Sequence, residues 1–130
     1  MNINLAIIQG AKVLQKNFIK NAYLDSEVLL TKAIKKDRKY ILVNSSKHLN
    51  SKDLNNFRKL IRKRSFGHPI AHITNKKFFW KSEFIVSNET LIPRPDTELL
   101  VEKILDLTKH KNKLNLLEIG IGSGCIILSI

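Results

Sequence analysis

The chain has a single cysteine, Cys125, in 130 residues. Without a second thiol no intrachain disulfide can form, and a small apolar residue at a helix start explains the position better than nucleophilic chemistry does. The four histidines, His48, His68, His72 and His110, lack the close spacing of metal ligands, so no metal is expected. No apolar run approaches a membrane-spanning length, so no membrane association is expected. The N-terminus has no continuous apolar core followed by a cleavage site; no secretion signal is evident, and the cytoplasm is the expected compartment. There is neither an internal repeat nor a low-complexity tract.

Acidic residues are also scarce. Asp and Glu number 11 against 23 Lys and Arg, a formal net charge of +12. The imbalance sits at one end: residues 1–77 hold 17 Lys and Arg against 4 Asp and Glu, whereas residues 78–130 hold 6 against 7. Cations in such numbers can neutralise phosphates and steer encounter with nucleic acid. The competing reading is a solvated surface, because Lys, Ile and Asn are all abundant, their codons are A/T-rich, and charged faces are common. The second reading is the stronger. It leaves room for a weak nucleic-acid contact, with Lys35–Lys39 and Arg58–Arg64 as the runs that would make it.

What is present reads as one small helical domain followed by the opening of another. Leu5, Ile8, Val13 and Leu14 suit an amphipathic first helix, and Leu24, Val28, Leu29 and Ala33 suit a second with Asp25 or Ser26 near its cap. Tyr40 to Val43 make a short third. Leu54, Phe57, Leu60 and Ile61 follow Asn50-Ser51 at helical spacing, and Gly67-His68-Pro69 ends that helix. Residues from about Lys77 to Val86, turning near Ser82, read as a hairpin packed by Phe79 and Trp80, with one ring bordering a cofactor pocket as the lesser alternative. Arg94, fixed between two prolines, is better suited to clamping strand ends than to reaching a ligand. Thr97 to Leu107 form an amphipathic helix capped by Asp96 or Thr97, and Lys109 to Lys113 make a solvated connection onward.

Leu114 to Ile119 is then a short apolar run ending beside an acid, as a strand buried in a parallel sheet would be. Gly120, Gly122 and Gly124 follow at alternate positions, and a helical apolar stretch, Cys125 to Leu128, begins at once. Glycines at a strand-to-helix turn permit positive φ and let a ligand approach bare backbone, and the helix N-terminus beyond offers unpaired N–H groups. A dinucleotide loop wants G-x-G-x-x-G, with its third glycine where Cys125 stands. Here the spacing is G-x-G-x-G with Glu118 two residues ahead, which suits S-adenosylmethionine: it brings an ammonium, a carboxylate and an adenosine but no pyrophosphate. A structural glycine turn and a dinucleotide site remain open at this point.

Upstream of the loop lie Gly67-His68-Pro69-Ile70-Ala71-His72-Ile73-Thr74, then Phe78-Phe79-Trp80, Phe84-Ile85-Val86, and Leu91-Ile92-Pro93-Arg94-Pro95-Asp96-Thr97-Glu98. In order and spacing these resemble the linker of the release factor glutamine methyltransferases, the HemK type. The resemblance covers the whole chain, weakly through the N-terminal helices and specifically from Arg64 onward; Pro-Arg-Pro-Asp-Thr-Glu is its most specific piece. The family usually has Asp where Glu118 stands.

The resemblance implies an α/β chain overall: an N-terminal small helical bundle, a β-hairpin linker, and the first strand and helix start of a class I, Rossmann-like methyltransferase domain. It implies a release-factor-recognition domain over residues 1–70, the linker over 71–93 and the beginning of the methyltransferase domain over 94–130. It further implies S-adenosyl-L-methionine as cofactor, with Glu118, Gly120, Ile121, Gly122, Ser123 and Gly124 around its methionine portion. The implied partners are peptide chain release factors, methylated on the side-chain amide of the glutamine in their Gly-Gly-Gln motif.

The Asn-Pro-Pro-Tyr motif that orients the substrate amide in that family does not occur in these 130 residues. No catalytic residue is therefore assigned, and no methyl transfer by this chain alone is expected, because such a reaction depends on positioning a poor nucleophile. Folding physics points the same way. One strand and about two turns of helix fall below the ~12–15 residues at which an isolated helix is marginal; the expectation is either a disordered or sticky tail, or a fragment, a split-gene half or a decayed gene product. A non-enzymatic module that binds a release factor is the alternative function, and a nucleic-acid amino-methyltransferase a more distant one.

Overall fold

The chain folds as two units, Met1–Thr74 and Asn75–Ile130, in the computed structural model, which describes residues 1–111 and 113–130. The first contains five helices: α1 (Ile3–Lys16), α2 (Ala22–Ile34), α3 (Arg38–Val43), α4 (Ser51–Ser65) and α5 (Ile70–Thr74). Three of them start on a capping side chain. Asn2, Asp37 and Asn50 accept the N–H groups of Leu5, Tyr40 and Asp53 at 2.8, 2.8 and 2.7 Å, each such cap stabilising its helix by about 1 kcal/mol.

The buried stripe of α1 is Ile3, Ala6, Ile7, Gly10, Ala11 and Leu14. Leu5 and Val13, two of the residues expected to face inward, are 45% and 43% exposed. The helix is rotated relative to the face its large apolar residues suggest, because its small residues let neighbouring helices come close. A Cβ on Gly10 would collide with Ser26 Oγ, lie 2.7 Å from Phe57 Cζ and 3.0 Å from Ile61 Cδ1. Only glycine fits there.

Helix α2 also departs from expectation. It starts after Asn21, with no side-chain cap, and Asp25, Ser26 and Glu27 are buried inside it. Asp25 and Ser26, expected at the cap, serve tertiary contacts instead. Arg64 Nε donates to Asp25 Oδ2 at 2.7 Å, Ser26 Oγ donates to the Ile7 carbonyl at 2.8 Å, and Glu27 pairs with Arg38 at 2.9 Å. Burial of these groups is tolerable because each finds a partner. Leu29, Leu30 and Ala33 of α2 join Phe57 and Ile61 of α4 in the core, while Leu24 points outward at 47% exposure.

The chain start and the α3–α4 connection also meet. Ile3 N–H donates to the Lys47 carbonyl and Leu49 N–H to the Met1 carbonyl, both at 3.0 Å. Lys47 Nζ donates to Tyr40 Oη at 2.9 Å; this hydrogen bond, with electrostatic attraction to the same side chain, raises the ammonium above its ordinary pKa. At its far end α4 stops where Gly67 turns to φ +88, a left-handed position that glycine adopts at no steric cost.

The second unit opens with a hairpin of β1 (Lys76–Phe79) and β2 (Ser82–Ile85), antiparallel, with Lys77 opposite Phe84 and Phe79 opposite Ser82. The turn is Trp80-Lys81, slightly ahead of Ser82. Alternation puts Phe79 and Phe84 inward, their rings edge to face at 6.1 Å, and leaves Phe78 and Ile85 exposed. A 3-10 turn at Pro95–Thr97 then leads into α6 (Glu98–Thr108). Thr97 is the N-cap residue of α6 but makes no side-chain capping bond. Val101 and Cys125 complete a small core with Phe79 and Phe84. Of the 109–113 connection, residue 112 lies outside the described residues.

The expected strand at Leu114–Ile119 does not form: its described residues have no regular structure. A strand's N–H and C=O groups need a neighbouring ladder, and the only sheet among the described residues is the hairpin. The helix expected from Cys125 is likewise reduced to a 3-10 turn, Ile127–Ser129. Where the Rossmann-like start is expected, the described residues form a loop and a single 3-10 turn. No helix among the described residues is long and apolar enough to cross a membrane.

Candidate functional site

The glycine loop packs into the core of the second unit at its C-terminal end. Cys125, 7% exposed, packs against the core of the second unit, and Ser129 Oγ donates to its carbonyl at 2.6 Å. Gly124 is buried beside it, Ser123 is half-buried, and Gly120, Ile121 and Gly122 are exposed. All three glycines have positive φ: +79 at Gly120, +57 at Gly122 and +73 at Gly124. An L-residue in this region costs roughly 1–2 kcal/mol.

The reason differs along the loop. A Cβ at Gly120 would meet nothing within 4 Å, and at Gly122 only the Gly120 carbonyl oxygen at 3.8 Å. Backbone conformation, not crowding, demands glycine there, and the space a side chain would fill is open to a ligand. At Gly124 a Cβ would press on Leu128 Cδ1 at 3.3 Å. Backbone bonds from Gly124 N–H to the Ile121 carbonyl at 2.9 Å and from Leu128 N–H to the Gly124 carbonyl at 3.0 Å hold the turn.

Glu118 closes the loop. Its Oε2 accepts the N–H of Ile127 at 3.0 Å, so the carboxylate reaches across nine positions to the final turn. The residues singled out in the sequence, Glu118 and Gly120 through Gly124, are thereby brought into one loop. Bare backbone at Gly120 and Gly122 and a carboxylate at the base can meet a small cationic group, with Glu118 Oε2 engaged by the Ile127 N–H.

The Pro-Arg-Pro-Asp-Thr-Glu element has a structural use that its sequence does not reveal. Trp80 sits at the hairpin turn with φ +54, an uncommon conformation for a bulky residue. Its N–H donates to Glu98 Oε1 at 3.1 Å, so the first residue of α6 holds the hairpin turn. Glu98 could have been suspected as a first-turn acid that suits the helix dipole, but not as a partner of Trp80. Arg94 is exposed, with Pro93 buried behind it, and makes no ion pair among the described residues. No group of three His, Cys, Asp or Glu among the described residues comes together as a metal site.

Comparison with known proteins places this geometry in a family. The family model of the PrmC N-terminal domain matches residues 6–74, which is the helical unit almost end to end. A protein of Buchnera aphidicola subsp. Schizaphis graminum, named release factor glutamine methyltransferase, is 41% identical over 130 residues, covering 100% of this chain and 46% of its own. One of the same name from Leptospira interrogans is 42% identical over 123 residues, 94% of this chain and 43% of its own. A third, from Shewanella oneidensis, is 41% identical over 110 residues, 85% of this chain and 38% of its own. The chain spans less than half the length of these curated relatives. With the helical unit matched to the PrmC domain and the similarity to the first of these relatives running on through the hairpin, α6 and the glycine loop, the chain belongs to the release factor glutamine methyltransferase family.

Proposed function

We propose that this chain forms the N-terminal part of an S-adenosylmethionine-dependent methyltransferase that acts on the glutamine side-chain amide in the Gly-Gly-Gln motif of peptide chain release factors. The observation that carries the reading is the run of three left-handed glycines behind an acid, Glu118 to Gly124, in a chain whose relatives are named for that activity. S-adenosylmethionine, when bound, supplies the methyl group. Gly120, Ile121, Gly122, Ser123 and Gly124 would hold its methionine portion through backbone, and Glu118 would face its ammonium. Residues 1–70 would recognise the release factor, 71–93 would link, and 94–130 would begin the catalytic domain, in the cytoplasm.

These 130 residues contain no Asn-Pro-Pro-Tyr, so the chain alone transfers no methyl group on this reading. The test is a chimera in which this chain replaces the matching segment of the Buchnera relative, incubated with release factor, nucleic acid and labelled methyl donor. Label on the glutamine of the release factor is the expected result. Label in nucleic acid alone would overturn the reading.

A second reading has its own observation. The helical unit buries its core fully, while Leu117 and Ile119 stand 87% and 90% exposed, so a binding module built on the helices alone is the simpler function for the isolated chain. A complex of the 130-residue chain with release factor, formed without donor, supports that module; no complex at moderate salt counts against it.

A further inference from the structure

The helical unit carries a groove to which the methyl-transfer reading assigns no contact of its own. It lies between α1 and α4 and has a volume of about 280 Å³. Ala6 and Gly10 of α1 and Phe57 and Ile61 of α4 form a buried floor, with Val13 and Leu54 as partly exposed walls. Gly10 is close-packed against Ser26, Phe57 and Ile61 and closes the bottom of the groove. Arg58 and Arg62 also line it. They stand at i and i+4, on one side of α4 and about 6 Å apart along its axis.

Charge says what such a groove would attract. No Asp or Glu lines it among the described residues. Arg62 rests over the Phe66 ring at 5.8 Å, and neither Arg58 nor Arg62 is in an ion pair among the described residues. The unit's four acids make their contacts elsewhere. Asp25 holds Arg64, Glu27 holds Arg38, Asp37 caps α3, and Asp53 accepts from Asn50.

We infer that the α1–α4 groove docks an acidic amphipathic helix of a partner protein, whose apolar face fills the groove while carboxylates one turn apart meet Arg58 and Arg62. Helix-in-groove recognition reads apolar anchors at i, i+3 or i+4 and i+7, and the one-turn spacing of the two arginines matches acids on such a helix. Single-stranded nucleic acid fits less well. Its bases need open aromatic faces to stack on; Phe57 in this groove is only 3% exposed, and the exposed ring beside it, Phe66, already carries Arg62. The inference rests on the helical unit alone and is independent of methyl transfer.

The test uses the full 130-residue chain, isotopically labelled, and a designed helical peptide with leucines at i, i+4 and i+7 flanked by glutamates. The expected result is saturable binding with amide shifts concentrated at Val13, Phe57 and Arg62. The double variant Arg58→Glu with Arg62→Glu weakens binding by at least about tenfold, and Val13→Asp weakens it comparably. Both sites are surface positions, and an unchanged circular dichroism spectrum verifies the fold. A lysine-flanked version of the peptide does not bind. The inference is overturned by equal binding of the lysine-flanked peptide, by shifts elsewhere, or by no saturable binding. It is also overturned if an RNA oligonucleotide binds more tightly through the same residues, or if self-association of the chain occupies the groove.

Discussion

In Met1–Thr74 each helix satisfies its own backbone, and side chains have only to bring the helices together; in Leu114–Gly124 the backbone would need a neighbouring strand. The consequence shows in burial. The helical unit encloses Leu14, Leu29 and Leu30 completely and gives a partner to every polar side chain it buries. The second unit closes only a small core around Phe79, Phe84, Val101 and Cys125, and leaves Leu117, Ile119 and Leu128 in solvent. Local hydrogen bonding lets a short segment complete a fold. A parallel strand is completed only by others.

The largest test of that contrast compares two leucines. Leu29→Ala, at a site with 0% exposure, should destabilise the helical unit by about 2–5 kcal/mol. Leu117→Ala, at 87% exposure, should stay within about 0.5 kcal/mol. Urea unfolding followed by helical circular dichroism measures both. A comparable loss at Leu117 would show that the 114–119 segment is packed in solution. Next in size is Arg64→Met, which strands the Asp25 carboxylate and should cost roughly 2–3 kcal/mol, less than for a fully buried pair because the arginine side chain remains 20% exposed. If Arg64→Met leaves the unfolding midpoint unchanged, the pair is ornamental and the closure of the helical unit rests on apolar packing alone.

These residues also mark how far the sequence could be read. Helical spacing located α1, α2 and α4, and the alternation around Phe79 and Phe84 located the hairpin, because those signals are local. The facing of α1 was not legible. A periodicity count weighs Leu5 and Val13 but gives no weight to Ala6 and Gly10, which decide the crossing. Nor could the burial of Asp25, Ser26 and Glu27 be read, since their partners Arg64, Ile7 and Arg38 are distant in sequence. The alternate glycines of the loop were legible as positions of positive φ, and all three adopt it. The strand before them was not correctly foreseen, because an apolar run states a preference and a ladder supplies the structure. Glu98 holding Trp80 and Glu118 holding Ile127 were invisible for the same reason: both bonds are nonlocal.

Two glycines sharpen the comparison at smaller cost. Gly67 in the helical unit and Gly122 in the loop both have positive φ, and neither has a neighbour closer than 3.8 Å to an added Cβ. Alanine at either should therefore carry a similar conformational penalty of about 1 kcal/mol. The expected difference lies in who feels it. Gly67→Ala should lower the urea midpoint of the helical unit, whereas Gly122→Ala should leave that midpoint alone and speed hydrogen exchange at Gly124 and Leu128, whose amides hold the turn. Equal shifts of the helical midpoint would mean that the two units unfold as one.

The smallest effect concerns Glu118, where a structural and a ligand-binding role pull apart. Its bond to the Ile127 N–H needs an acceptor oxygen but no charge. Glu118→Gln should keep that amide protected, whereas Glu118→Ala should expose it at a cost of about 1 kcal/mol or less, since the group is only half-buried. An ammonium ligand needs the charge as well. In the chimera that tests methyl transfer, Glu118→Gln should thus weaken donor binding while leaving exchange at Ile127 unchanged. If Gln and Glu bind donor equally and Ala fails in both measurements, the residue works only as the clasp of the loop, and the ammonium must find its acid elsewhere.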